Sequence, residues 1–351
     1  MLRVQILCRR KKRAKERDAK MLETRQMNIV FVYRHLSSFV YGDLQALSDK
    51  FNVFPVKVSK TLISGIVNLA RFVPKCDLVF VWFAGFQAVL ATIFARLAGK
   101  KLIVVAGGYE VAYVPEFKYG AYFSWYRALM ATFVFKNADV IIAVSESTKK
   151  EVYQRLVPKG SVVTIYNGID TNLFKPDDVS KENTVLTVAL INKDNIKIKG
   201  LDVFVKTAAR LQDVDFILVG NHDNSIGSLT KRSSRNFRNV EYSLDSVINH
   251  YQKAKVYAQL SFHESFGVSV VEAMSCGCVP VVTTRGALPE VVGDCGFYVP
   301  YGDVEATAKA IEKALSDTNL GKRARRRVID MFSIEMRNKK LLELVENYGH
   351  R

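Results

Sequence analysis

Two glutamates, Glu264 and Glu272, stand eight positions apart in the string FHESFGVSVVEAMSCGCVPVVTTRGALPE (262–290), where chemistry-bearing residue types are densest. The apolar pattern reads as strand, loop, helix, strand, loop. Glu264 falls just past a strand's carboxyl end, and Ser265-Phe266-Gly267 form a tight loop in which glycine permits close backbone approach. A helix opens near Val268–Ser269. Its first N–H groups lack internal partners and carry the positive end of the helix dipole, so this is a site for a diphosphate. Carboxylates beside an anion site repel the anion unless they bind something else. Sugar hydroxyls suit them, because ionised carboxylates are strong acceptors. Taken singly, each residue has a plainer reading: Glu272 caps its helix, Glu264 is a surface acid, Lys199 is a solvated charge, and Asn167-Gly168 is a turn.

The elements that must hold these residues alternate. Short β-branched runs such as Asn28–Tyr33, Leu78–Trp82, Leu102–Val105, Val140–Val144 and Val162–Tyr166 read as buried strands. Between them lie helical stretches at Gly42–Lys50, Leu62–Phe72, Phe86–Ala98, Tyr119–Lys136 and Glu146–Leu156, the last with Ser145 as N-cap. The polar segment Lys175–Asn183 reads as a linker. Alternation restarts with strands at Val185–Ile191, Phe216–Val219, Val240–Tyr242, Val256–Leu260 and Val279–Val282, and with helices at Leu201–Leu211, Ser246–Lys253, Val268–Cys276 and Val304–Ser316. This predicts an α/β chain with two tandem Rossmann-like, doubly wound domains facing a central cleft. The expected divisions are a basic tail over 1–26, a first domain over 27–175, a second over 184–330, and a C-terminal helix over 331–351.

At 351 residues, the length suits two domains. The 51 Lys and Arg against 34 Asp and Glu give +17, which favours anionic partners: a phospholipid surface, nucleic acid or phosphorylated substrates. Residues 1–26 hold ten bases and three acids. They read either as a disordered tail or upstream extension, or as a polybasic arm drawn to anionic lipid. Five cysteines (Cys8, Cys76, Cys276, Cys278, Cys295) make an odd, sparse set that fits buried thiols in a reducing compartment. No apolar run is long enough for a membrane span, and the basic run follows the N-terminal apolar residues instead of preceding them, unlike a secretory signal. The expectation is a cytoplasmic protein, soluble or peripheral on the inner face of a membrane. Tyr119–Phe135, with Trp125, reads as a half-buried helix or as a membrane-facing one.

Several chemistries are set aside. There is no Gly-x-Gly-x-x-Gly after a strand, no P-loop and no Gly-x-Ser-x-Gly elbow. The five histidines show no i, i+4 pairing, so a zinc protease site has no support. Asp213-Val214-Asp215 precedes an apolar strand instead of following one, and reads as a surface loop.

Taken whole, 262–290 resembles the signature of glycosyltransferase family 4, of GT-B fold. The spaced glutamates, Phe-Gly, Glu-Ala-Met-Ser-Cys-Gly, Pro-Val-Val and Leu-Pro-Glu all match, and the likeness continues through Gly296–Pro300. Ala138–Ser145, Asn167–Asp170 and Phe174–Pro176 look like the end of that family's first domain. Lys199-Gly200 looks like its phosphate-contacting lysine, and Met331-Phe332-Ser333 like its C-terminal return to the first domain. The resemblance implies that Glu264 contacts donor-sugar hydroxyls and Lys199 neutralises the leaving diphosphate. It implies that Glu272 holds the ribose, and that Phe266, Gly267, Val268 and Ser269 surround the donor. The reaction would be retaining and metal-independent, transferring a hexose from a nucleotide-diphosphate sugar to a glycan or lipid-linked acceptor.

The sequence departs from the family in three places. Ala189-Leu190 replaces the usual Gly-Arg, leaving Lys193 or Lys197 as substitute cations. Gly107 replaces a histidine, with Tyr109 and Glu110 following it. Arg34–Val40 replaces a glycine-rich loop. Tyr109, Glu110 and Asn167 are therefore candidates for the acceptor or donor side. Rival readings are a nucleotide-sugar epimerase of the same fold and a non-catalytic sugar-nucleotide-binding subunit. Nucleic-acid binding through residues 1–26 is a weak fourth.

Overall fold

The computed structural model describes residues 26–58, 62–178, 180–223, 226–230 and 233–349. The expected basic arm and Cys8 lie outside them, apart from Gln26, as does His350.

Six strands form the first sheet: β1 (Asn28–Tyr33), β2 (Asn52–Lys57), β3 (Leu78–Trp82), β4 (Lys101–Ala106), β5 (Val140–Ala143) and β6 (Ser161–Thr164). Their spatial order is β2-β1-β3-β4-β5-β6, and every pairing is parallel. Six more form the second: β7 (Glu182–Val188), β8 (Asp215–Val219), β9 (Phe237–Val240), β10 (Ala254–Gln259), β11 (Val279–Thr283) and β12 (Phe297–Val299). These run β12-β11-β10-β7-β8-β9, again all parallel. Parallel sheets are covered on both faces, which is why β3 and β5 are buried along their whole length. The two-residue alternation splits β1 between opposite cores: Ile29 and Phe31 face one, Val30 and Val32 the other. Two such lobes facing a cleft are the GT-B architecture.

The last helix, Ile334–Gly349, packs on Ser38–Ser48 of the first lobe. Arg337 is the anchor. Its Nε and Nη2 donate to the two carboxylate oxygens of Asp43 at 2.6 and 2.7 Å. Its Nη1 donates to the carbonyls of Ile165 and Tyr166. Arg337 is 2% exposed and Asp43 fully buried. Asp43 also accepts from the Trp82 indole at 3.0 Å, so the returning helix is tied to the end of β3.

Several elements differ from expectation. Helix is expected from Tyr119 but starts at Trp125. The amides of Tyr119, Ala121 and Tyr122 donate instead to carbonyls of Val114, Tyr109 and Ala112, so they cannot continue a helical ladder. The edge strand expected at Val240–Tyr242 is Phe237–Val240, with Phe237 opposite Phe216. Asp213 is an exposed turn residue before β8, and Asp215 is the first, exposed residue of that strand. Cys76, Cys276, Cys278 and Cys295 are free and buried.

Candidate functional site

Strand order reverses between β1 and β3 in one sheet and between β7 and β10 in the other. Ligands of doubly wound sheets bind outside the carboxyl ends of strands at such points. Here the two points open onto one cavity of about 310 Å³. The first lobe lines it with Phe39, Trp82, Phe83, Gly107, Tyr109, Tyr119 and Asn167, and the second with Val188, Lys199, Gln259, Glu264 and the run Ser265–Ser269.

Lys199 and Glu264 meet at the second lobe's switch point. The Phe262 amide donates to the Ile198 carbonyl at 2.8 Å, which lays the chain before Lys199 alongside the chain before Glu264. Lys199 Nζ then donates to Glu264 Oε2 at 2.7 Å. Gln259 Nε2 and Ser261 Oγ reach the same oxygen at 3.1 and 3.4 Å. The acid and the cation thus hold each other before any ligand arrives. Among the described lining residues Lys199 is the only base. Lys193 and Lys197 are exposed on the short helix Lys193–Ile198, and Lys197 pairs with Asp202; neither lines the cavity.

The helix Val268–Ser275 opens into the cavity. Gly267 precedes it with φ +92°, a left-handed conformation that other residues adopt only with strain. No side chain caps this end, so the amides of Gly267, Val268 and Ser269 are available to an anion.

Glu272 does not line the cavity; it sits on the next turn of the same helix. Its Oε2 accepts from Tyr251 Oη at 3.0 Å. The residue keeps partial solvent access, yet burial pushes its carboxyl up to about 7, against a smaller lowering by the Tyr251 hydrogen bond.

On the first lobe, Phe39, Trp82 and Phe83 form an aromatic wall, with ring centroids 5.1–6.2 Å apart. Phe83 holds φ +67°, an uncommon backbone state for a bulky residue. Its flanks are pinned: Gln87 Nε2 donates to the carbonyls of Trp82 and Phe83, and the Ala84 amide donates to Glu110 Oε1. Gly107 N donates to the same carboxylate oxygen. Glu110 therefore joins the loops after β3 and β4 instead of lining the cavity. Burial pushes its carboxyl up to about 6. Its Oε2 and the Asn167 Oδ1 are both buried without a hydrogen-bond partner. Asn167 lines the cavity.

The lobes are in contact around this space. Glu290, from the Leu-Pro-Glu segment, accepts from the amides of Glu146 and Ser147 at 2.9 and 3.0 Å, capping a helix of the opposite lobe. His263 Nε2 lies 2.7 Å from Glu151 Oε1. Gly108 comes so close to Ser265 that a Cβ would lie 1.8 Å from its Oγ, so only glycine fits there.

The structure therefore brings Lys199, Glu264, Phe266–Ser269, Tyr109 and Asn167 together, and leaves Glu272 and Glu110 behind the walls. Sequence reasoning missed Gln259, the aromatic wall and Glu290's part across the cleft. Gln259 carried a signal, a polar residue ending an apolar strand. The wall carried none, because Phe39 sits in the helix after β1 while Trp82 and Phe83 stand at the end of β3, far from it in sequence. Among the described residues no group of three or more His, Cys, Asp or Glu side chains could hold a metal ion.

Comparison with known proteins agrees with this fold. Residues 3–173 match the family described as Glycosyltransferase Family 4, and residues 182–317 the family described as Glycosyl transferases group 1. The N-acetyl-alpha-D-glucosaminyl L-malate synthase of Bacillus anthracis is 29% identical over 58% of this chain and 58% of its own length. A component of the phosphatidylinositol N-acetylglucosaminyltransferase of Arabidopsis thaliana is 25% identical over 79% of this chain and 64% of its own. The matched part thus spans less than two thirds of either relative. In fold, the chain is similar to Anabaena HepE in complex with UDP, with TM-score 0.74 and 19% identity over 92% of this chain and all of that one.

Proposed function

The chain belongs to the family 4, group 1 glycosyltransferases of GT-B fold, and from that premise we propose that it transfers a hexose, with retention, from a nucleotide-diphosphate sugar to a glycan or lipid-linked acceptor. The observation that carries the reading is the Lys199–Glu264 pair beside the uncapped helix end, facing an aromatic wall across a closed cleft.

In this reading the diphosphate lies on the amides of Gly267–Ser269, with Lys199 against it. Glu264 accepts from hydroxyls of the hexose, and Glu272 from those of the ribose. The bond from the anomeric carbon to the diphosphate oxygen breaks as the acceptor oxygen attacks the same carbon. The electron pair goes to the diphosphate, and the acceptor's hydroxyl proton leaves with it. Lys199 and the amides are fixed where that charge develops, so they need no reorganisation during the step. The Lys199 cation and the amides meet the diphosphate charge without a metal. Asn167 and Tyr109 meet the acceptor. The contacts from Glu290 and His263 hold the lobes closed and exclude water.

The test is a thermal-shift screen of UDP-, GDP- and ADP-hexoses, followed by an assay of donor hydrolysis. A donor at about 100 times its dissociation constant adds about 2.7 kcal/mol of stability. A shift accompanied by slow release of nucleoside diphosphate is expected. A shift without any release, with every acceptor class tried, would make the chain a binding subunit. No shift with any donor would end the transferase reading.

A further inference from the structure

Three helices cover one face of the first sheet side by side: Leu62–Phe72, Phe86–Leu97 and Trp125–Lys136. Their inner sides fill a core with Leu69, Ala88, Ala91, Ala95, Ala131 and Val134. Their outer sides are apolar too. Ile63 is 79% exposed, Leu97 81%, Trp125 77% and Leu129 62%, with Val67 and Phe133 also open. Trp125, Leu129 and Phe133 repeat every four residues, which makes a stripe along one helix. Proteins that stay in water seldom leave so large an apolar surface uncovered.

The charge on these helices is one-sided. None of the three contains Asp or Glu, while Arg71, Arg96, Arg127 and Lys136 lie on them. Asp139, which follows the third helix, is engaged by Arg96 and Lys101. We propose that this three-helix surface docks on an anionic lipid bilayer, with its apolar residues in the acyl boundary and its bases at the headgroups. At 11 or 12 residues each the helices are too short to cross a bilayer, and they lie in the interface plane instead.

The face also leads to the cavity. Phe86 and Trp125 begin their helices on the side where β3 and β4 end, and Arg127 Nη1 donates at 2.6 Å to the hydroxyl of Tyr109, which lines the cavity. A docked protein therefore has its cavity mouth bordering the membrane surface, where the headgroup of a lipid-linked acceptor is presented. That orientation rests on the transferase reading; the docking itself does not.

The experiment is co-sedimentation of the full chain with phosphatidylcholine vesicles, with and without about a third phosphatidylglycerol, at low and high salt. The companion variant is Leu97→Glu with Leu129→Glu, both positions open enough to leave the fold intact, as an unchanged melting temperature will show. Wild-type binding to the anionic vesicles, weakened by salt and reduced at least about tenfold in the variant, is the expected result. Three outcomes overturn the proposal: no sedimentation of wild type at low salt; equal binding by the variant, which would assign binding to the basic segment 1–26; or a wild-type dimer that the variant splits, without vesicle binding. Donor thermal shift reads the cavity separately, so failure of the transferase reading would show there and leave vesicle binding untouched.

Discussion

Donor affinity should rise with pH because of Glu272. Burial pushes its carboxyl up to about 7 in the free protein, whereas the ionised form is the stronger acceptor for two ribose hydroxyls. Binding must therefore expel a proton at acid pH. With a carboxyl near 7 that is fully ionised in the complex, the apparent dissociation constant scales as one plus ten to the power (7 − pH). It should be about tenfold larger at pH 6 than at pH 8. A nucleotide sugar has a doubly esterified diphosphate, so the ligand does not titrate in this window. Calorimetry in buffers of different ionisation enthalpy should count about 0.9 proton released per donor at pH 6 and about 0.1 at pH 8. Glu272→Gln should flatten that profile and weaken binding by roughly 1.5–3 kcal/mol, the worth of a hydrogen bond to a charged group. Glu110, pushed up to about 6, stays in the variant and serves as the internal control. Stability of the unliganded protein carries the opposite sign. Both carboxyls are raised above their unfolded value, so the folded state holds extra protons from about pH 4.5 upward. Stability is then lost as pH rises through 6 and 7, by a few kcal/mol for the two together. A pH-independent dissociation constant, or a Glu272→Gln variant with an unaltered profile, would refute the ribose assignment.

Three other outcomes are expected. Lys199→Ala should lower turnover by about 10²–10³-fold, the usual cost of losing a donor aimed at developing charge, with a smaller change in KM; steady-state kinetics checks it. Arg337→Met leaves Asp43 buried and unpaired and should cost about 3–5 kcal/mol in urea unfolding, with much of the loss recovered in a double variant that also carries Asp43→Leu. Glu290→Ala removes the acceptor that caps Glu146 and Ser147 across the cleft. It should therefore enlarge the radius of gyration by small-angle scattering while leaving each lobe's melting unchanged.

The second lobe was legible because its chemistry is local. A single loop and helix start carries Glu264 to Ser269, so a linear string was enough. Lys199 lies far from it in sequence, and only the family likeness linked the two; alone it read as a surface charge. Phe39 follows β1, whereas Trp82 ends β3 and Phe83 follows it, and nothing in the chain near any one of them announces a shared wall. Glu110 was read as a candidate for the acceptor or donor side because it follows Gly107, which stands where the family has a histidine. The backbone instead turns it toward the amides of Ala84 and Gly107, a choice that hydrogen-bond supply makes and residue type does not reveal. The boundary errors were physical as well: amides at 119–122 had partners in a neighbouring loop, outside the reach of periodicity.

The returning helix has a practical corollary. Phe332, Leu341 and Val345 are fully or almost fully buried in the same core as Leu47 and Trp82, so the first lobe is completed by chain that lies beyond the whole second lobe in sequence. A fragment stopped near residue 175 would emerge with an open flank and a solitary buried carboxylate at Asp43. Separate expression of the two halves should therefore give a first half that stays sticky until a peptide spanning 331–349 is added.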